Sequence, residues 1–170
     1  VKDAVPREHK ASAPLSVGCF VLTISDSKTP ETDTSGALIR DLLAKAGHTV
    51  VGHAIVKDEP TQVTARIREG CADPKTQAFI LTGGTGVTSR DATFEAVEAL
   101  LDKRLTGFGE LFRMLSYAEI SAAAMLSRAQ AGVVKGRALF SLPGSPDACR
   151  LALEKLILPE LGHLLGEIKR

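Results

Sequence analysis

The chain of 170 residues has no tryptophan and a single tyrosine, Tyr117, so little aromatic surface is available. It also lacks a charge imbalance. Its 21 basic and 20 acidic residues leave a net charge of +1, which argues against a general nucleic-acid binder and leaves room only for a local basic pocket. No run approaches the roughly 20 apolar residues of a membrane span. Residues 1–14 are polar, carry two prolines and lack the apolar core of a signal peptide. Residues 1–15 therefore read as a flexible tail, or an arm that orders on a neighbouring subunit, ahead of one domain over 16–170. Cys19, Cys71 and Cys149 are odd in number and show no zinc-finger spacing. They read as small buried hydrophobes in a reducing cytosol, so the expected location is cytoplasmic. What is abundant is Ala, Leu and Val, in a chain 44% hydrophobic and long enough for a real core.

That apolar content is patterned. Residues 17–24 (VGCFVLTI) form a nearly continuous apolar run, suited to a strand covered on both faces. A polar loop, 25–33, precedes a helix starting near Thr34 or Ser35, with Leu38, Ile39, Leu42 and Leu43 at helical spacing and Gly47 as its C-terminal stop. A second strand covers 49–56. Asp58 is placed to cap a helix with Pro60 in its first turn, Val63 and Ile67 on its apolar stripe and Gly70 at its end. A third strand, 78–81, leads through a glycine loop into a helix over 93–101. This alternation predicts a doubly wound α/β sheet. Phe108, Leu111, Phe112 and Leu115 fit one further helix and 120–126 a second. A strand over 137–142 pairs with Val133 and Val134 through a turn at Lys135-Gly136. Pro143-Gly144-Ser145-Pro146 opens a helix over 147–158, which Pro159 kinks or ends, and 161–168 add a last amphipathic turn or two.

The glycine loop carries the most information. Leu81-Thr-Gly-Gly-Thr-Gly-Val-Thr-Ser-Arg-Asp91 holds Gly83, Gly84 and Gly86 between a strand and a helix N-terminus. Glycines let a ligand approach the main chain, and free N–H groups at such a junction suit an anion. The loop matches neither a Walker A motif nor Gly-x-Gly-x-x-Gly. In an open α/β sheet, ligands bind beyond the carboxyl ends of the strands. Four loops leave those ends. Together they would present Asp26, Asp58 and Asp91, the hydroxyls of Ser25, Ser35, Thr85 and Ser145, the side chain of Arg90, and the backbone of Gly36, Gly83, Gly84, Gly86, Pro143 and Gly144. Such an edge suits a phosphorylated polar substrate with a divalent cation. None of the four histidines lies in these loops; His48 and His53, at or beside the second strand, read as structural or solvent-facing. Metal-assisted phosphoryl or nucleotidyl transfer fits better than a Ser-His-Asp mechanism. Singly, each feature has a plainer use: Asp58 as a helix cap, Ser25-Asp26 as a turn, Pro143–Pro146 as a rigid connection, Arg90-Asp91 as a surface ion pair.

TGGTG followed by RDAT, the earlier Ser25-Asp26, Asp33-Thr-Ser-Gly36 and the late LPGSP resemble the MoaB/MogA family of molybdenum cofactor biosynthesis. The resemblance runs from about Val17 to about Leu165, and GFGELFRMLSYAEI followed by MLSRAQAGV looks most like the MoaB branch. It implies a three-layer α/β fold with a mostly parallel sheet flanked by helices, a trimer or hexamer, and molybdopterin adenylyltransferase activity. In that reaction ATP and molybdopterin, with Mg²⁺, give adenylylated molybdopterin and pyrophosphate. The family's two essential aspartates, candidate metal ligands, look to fall on Asp58 and Asp91. Its ligand contacts look to fall on Ser25, Gly83, Gly84, Thr85, Ser116, Ser127 and Ser145. Without the resemblance, Ser116 and Ser127 read as helix-surface serines. The resemblance further implies a molybdenum-insertion enzyme as downstream partner. Two other readings are a non-catalytic molybdopterin carrier or scaffold, and a nucleotide pyrophosphatase of the competence/damage-inducible type.

Overall fold

A computed structural model describes residues 14–170; the tail predicted over 1–15 lies almost wholly outside the described residues. Six strands form one sheet in the order β2-β1-β3-β6-β5-β4. Strand β1 (Gly18–Ile24) pairs in parallel with β2 (Thr49–Val56) and β3 (Ala78–Thr82), and β3 in parallel with β6 (Arg137–Leu142). Strands β5 (Gln130–Val134) and β4 (Lys103–Arg104) complete it antiparallel. The β5–β6 hairpin turns at Lys135 and Gly136, both at positive φ, as expected for a two-residue loop that must follow the sheet twist.

The near-continuous apolar strands are explained by two cores. Cys19, Val21, Ala78 and Ile80 face one layer, made by α1 (Thr34–Lys45), α4 (Thr106–Ile120), α5 (Pro146–Ala152) and α6 (Leu158–Ile168). Phe20, Leu22, Phe79 and Leu81 face the other, made by α2 (Pro60–Ala72) and α3 (Thr93–Glu98). Alternate side chains of each strand thus enter opposite cores, and neither face can be polar. The predicted three-layer α/β architecture is the observed one.

Several local expectations are corrected. Glu59, not Asp58, occupies the N-cap of α2, and it caps without a side-chain bond. Gly70 does not end α2, which continues to Ala72; a Cβ there would come within 2.6 Å of the Phe79 ring, so Gly70 lets the helix approach the sheet. Helix α3 stops at Glu98, because Asp102 N–H must reach the Val133 carbonyl to begin β4. Two charged residues carry no hydrophobic pattern, so β4 was invisible to periodicity. The segment read as a second helix over 120–126 is a 3₁₀ helix, Ser121–Leu126, entered through Ser121 at φ 53°. Helices α5 and α6 are joined by a π-helical turn, Leu153–Ile157, just before Pro159. Proline has no N–H to give to the carbonyl four residues back, and a widened turn absorbs the missing bond without breaking the helix.

Candidate functional site

Parallel pairing sets Ile24 beside Val56, Thr23 beside Thr82, and Thr82 beside Leu142, so the loops that follow leave one edge of the sheet together. Between them lies a cavity of about 180 Å³ lined by Thr23, Ile24, Ser25, Lys28, Asp33, Ser35, Thr82, Gly83 and Gly144. A second cavity, about 450 Å³, adjoins it along β2 and includes Lys28, His53 and Lys57.

The loop before α1 is fixed by Asp33, which is 2% exposed. Its Oδ1 accepts the Gly36 N–H at 2.9 Å as the α1 cap; its Oδ2 accepts the Thr23 hydroxyl at 2.7 Å and lies 2.9 Å from His53 Nε2. A Cβ on Gly36 would overlap that carboxylate, which accounts for the glycine. His53 thus reaches the site from β2 although it sits in no loop. Ser25 Oγ accepts the N–H groups of Ser27 and Lys28, shaping the turn beyond β1.

The Pro143–Pro146 loop is tied down on three sides. Ser35 Oγ donates to the Gly144 carbonyl at 2.7 Å, Thr82 Oγ1 donates to the Pro143 carbonyl at 3.1 Å, and the Cys149 thiol lies on both Thr82 Oγ1 and the Pro143 carbonyl. Ser145 Oγ accepts the Ala148 N–H as the cap of α5. Burial pushes the Cys149 thiol up to about 11, so it acts here as packing and not as a nucleophile.

In the glycine loop, Gly83 and Gly84 hold φ of 94° and 68°. A Cβ on Gly83 would overlap the Ile24 carbonyl, and its N–H bonds the Leu142 carbonyl at 3.0 Å. A Cβ on Gly84 would lie 2.9 Å from Thr93 Cγ2 and 3.3 Å from Asp58 Oδ1. Asp58 therefore points to the glycine loop, and its Oδ1 is buried without a hydrogen-bond partner. Its backbone N–H is held by Asp26 Oδ1 at 3.1 Å, while Asp26 Oδ2 lies 3.7 Å from the exposed Arg90. Asp91 borders Gly86, two residues further along, and its Oδ2 accepts the Thr88 N–H at 2.7 Å. Hydrogen bonds from Thr88 hold the Asp91 carboxyl below the usual carboxylate range, with Arg128 and Arg90 adding to the effect. The plainer reading of Arg90 and Asp91 as a surface ion pair is not what is observed: Arg90 lies across from Asp26, and Asp91 accepts from Thr88.

Buried polar groups are normally paired, so orphans are informative. Among the described residues four side-chain atoms are buried and unpartnered: Asp58 Oδ1, Thr93 Oγ1, Ser127 Oγ and Thr76 Oγ1. A Cβ on Gly84 would meet Asp58 Oδ1 and the Thr93 methyl, so Asp58 and Thr93 flank the glycine loop, and Ser127 directly precedes Arg128, which binds it. Ser127 and Ser116 are not the helix-surface serines expected from the residues alone. Ser127 follows the 3₁₀ helix, and Ser116 is 5% exposed on α4 with no hydrogen bond joining it to the loops.

No group of three or more metal-ligating side chains occurs among the described residues. Asp58 and Asp91, two hard oxygen donors with one orphaned oxygen between them, fit Mg²⁺, which takes one or two carboxylates and completes its shell with water and phosphate. Sequence reasoning missed Arg128, Asp33, Thr23 and His53. Asp33 had a usable signal, an acidic residue immediately before a helical pattern. Arg128 had none in spacing or composition.

Residues 20–163 match the model of a family described as probable molybdopterin binding domain. The chain is 50% identical over 165 residues to a molybdenum cofactor biosynthesis protein B of Bacillus subtilis (strain 168), covering 96% of this chain and 97% of that protein. It superposes with a TM-score of 0.90 on the crystal structure of a molybdenum cofactor biosynthesis protein B, at 51% identity, covering 94% of this chain and 99% of that one. The tungsten cofactor synthesizing protein MoaB from Pyrococcus furiosus follows, with a TM-score of 0.83, 37% identity, and coverage of 93% and 100%.

Proposed function

The chain belongs to the probable molybdopterin binding domain family, and from that premise we propose that it serves molybdenum cofactor biosynthesis as a molybdopterin adenylyltransferase. AMP is transferred from ATP to molybdopterin: a new bond forms between a molybdopterin oxygen and the α-phosphorus, the α–β bridging bond breaks, and pyrophosphate leaves. The observation that carries this reading is the placement of two carboxylates against one glycine loop, Asp58 at Gly84 and Asp91 at Gly86, with Asp58 Oδ1 left unpartnered. Pterin binding alone has no need of such a pair.

Asp58 and Asp91 would hold Mg²⁺, which neutralises phosphate charge as the transfer proceeds. The remaining work falls to positioning. Gly83 and Gly84 bring the main chain within reach of a phosphate because no side chain stands in front of it. Thr93 and Ser127 hydroxyls supply donors that the protein itself does not use. Lys28, Lys57 and Arg90 lie around the same edge and favour a polyanionic substrate. The Asp33 network and the pinned Pro143–Pro146 loop hold the walls of the cavity, so that little reorganisation accompanies binding. The reading places the protein in the cytoplasm, as a trimer or hexamer, delivering its product to a molybdenum-insertion enzyme.

Incubation with molybdopterin, ATP and Mg²⁺ is the direct test. Adenylylated molybdopterin and one equivalent of pyrophosphate are the expected products. Tight molybdopterin binding with no pyrophosphate released would replace this reading with that of a carrier.

A further inference from the structure

The side chain of Arg128 makes three hydrogen bonds within the protein, one from each nitrogen. Its Nε donates to the Thr85 carbonyl at 3.1 Å, and its two terminal nitrogens donate to the Gly86 carbonyl and to Glu95 Oε1. The guanidinium carbon stacks 4.6 Å from the centre of the Phe94 ring. Glu95 and Phe94 belong to α3, Arg128 follows the 3₁₀ helix, and the two carbonyls belong to the glycine loop. One planar group therefore joins three segments, and Gln130 Nε2, which donates to the Phe94 carbonyl at 2.9 Å, is a second tie between two of them that does not reach the loop.

We propose that Arg128 is the positioning residue of the glycine loop, setting its amide donors and the place of Asp91 without touching the ligand. A trans peptide holds its C=O and N–H on opposite sides. Drawing the Thr85 and Gly86 carbonyls toward Arg128 therefore turns the N–H groups of Gly86 and Val87 away from it. Neither N–H has an acceptor among the described residues, and the next one, of Thr88, goes to Asp91 Oδ2. Two successive amides, of Gly86 and Val87, are thus oriented by one side chain and left open, and the next, of Thr88, anchors the carboxylate. Gly86 cannot be replaced without a Cβ overlapping that carboxylate, so loop and aspartate move together. Arg128 is suited to this and lysine is not, because only a guanidinium presents several N–H groups in a rigid plane while stacking on a ring.

This inference rests on the adenylyl-transfer reading for its functional consequence, but not for its structural one. Arg128→Lys keeps the charge and loses the fork. In the free protein, its amide NMR signals at Gly86, Val87 and Thr88 should shift, and that of Thr88, the one of the three bonded to a carboxylate, should exchange at least tenfold faster than in the parent, while those of β1 and β3 stay in place. With ATP, molybdopterin and Mg²⁺, kcat should fall at least tenfold and KM for molybdopterin by less than threefold either way. Arg128→Ala should recover part of its kcat on addition of guanidinium ion at non-denaturing concentration, and none with ammonium. Unchanged loop amides in Arg128→Lys would overturn the inference whatever the activity, and so would a kcat within twofold of the parent. If Arg128→Ala does not fold, the Lys variant alone decides. A parent protein that transfers no AMP would sink the functional reading and leave the amides to judge Arg128.

Discussion

Asp58 and Asp91 reach the glycine loop by different means, Asp58 from the turn before α2 and Asp91 from the loop itself, and replacing each should give different outcomes. Asp91 is committed to Thr88, and an asparagine can still accept that N–H through its amide oxygen. Asp91→Asn should therefore fold normally, bind molybdopterin, and lose more than about tenfold in turnover, which is at least about 1.4 kcal/mol of transition-state stabilisation. Near-parental turnover would rule out Asp91 as a ligand of the proposed Mg²⁺. Asp58 Oδ1 is buried without a protein partner, which is a cost to the folded protein unless a ligand satisfies it. Asp58→Asn should abolish transfer while leaving the melting temperature equal or higher, as expected where a site is held against stability. A clear fall in melting temperature would mean that Asp58 is structural. The pH behaviour follows from the Asp91 carboxyl, held below its ordinary 3.8 by Thr88. The folded value lies below the unfolded one, so its contribution to stability is present above about pH 4 and is lost as pH falls through the lower folded value. Between pH 5 and 8 it is constant, and an acid limb of activity in that window must come from another group or from substrate. Burial pushes Cys19 up to about 12 and Cys149 up to about 11, and all three thiols are buried. A thiol reagent at pH 8 should therefore label the native protein slowly and the unfolded protein at three sites.

At the scale of the element, the glycine loop separates glycines required by the backbone from those that are not. Gly83 sits at φ 94° with the Ile24 carbonyl where a Cβ would go, whereas a Cβ on Gly144 would meet only Gly83 Cα at 3.6 Å. Gly83→Ala should cost about 1–3 kcal/mol of stability, and Gly144→Ala close to nothing, a contrast that paired thermal melts will read. Equal effects would mean the loop relaxes freely. Gly84→Val should impair ligand binding and also stability, since φ is 68° and Thr93 and Ile24 stand close. What the sequence made legible was whatever repeats or punctuates: the apolar strands, the α1 stripe ending at Gly47, the Lys135-Gly136 turn, and the convergence of four loops at one edge. What it concealed depends on contacts between distant segments. The β4 strand exists because β5 offers it an edge. Gly70 serves the Phe79 ring, and Asp58 leaves its cap position because the glycine loop is across from it. Arg128 acts on carbonyls 42 and 43 residues away, a distance at which neither periodicity nor capping rules can see.

For the whole molecule, the decisive feature is an apolar surface that this subunit does not cover. Along α4, Leu111, Met114, Tyr117 and Ile120 are exposed, and Met125 and Leu126 of the 3₁₀ helix extend the row. Phe112, on the same helix, is by contrast 1% exposed and packs in the core beside Phe108. The two faces of α4 thus differ, one closing the subunit and one left exposed. Single exposed apolar side chains are ordinary, but a continuous row marks an interaction surface. A closed ring of copies is the simplest way to bury identical rows, in keeping with the proposed trimer or hexamer. Light scattering at micromolar concentration should return a multiple of 18.0 kDa. Met114→Glu places a charge in the row and touches no core residue, so it should yield folded subunits of lower mass with little change in secondary structure. Phe112→Ala should act the other way, lowering stability by about 3–5 kcal/mol through a core cavity while any folded protein keeps the parental mass. A parent that is already monomeric would show that the row serves some other contact. A Met114→Glu protein with parental mass would place the interface elsewhere. Because Ser116 lies two residues from Met114, on the buried side of the same helix, dissociation also tests whether the site depends on its neighbour: loss of turnover in folded Met114→Glu subunits would mean that it does.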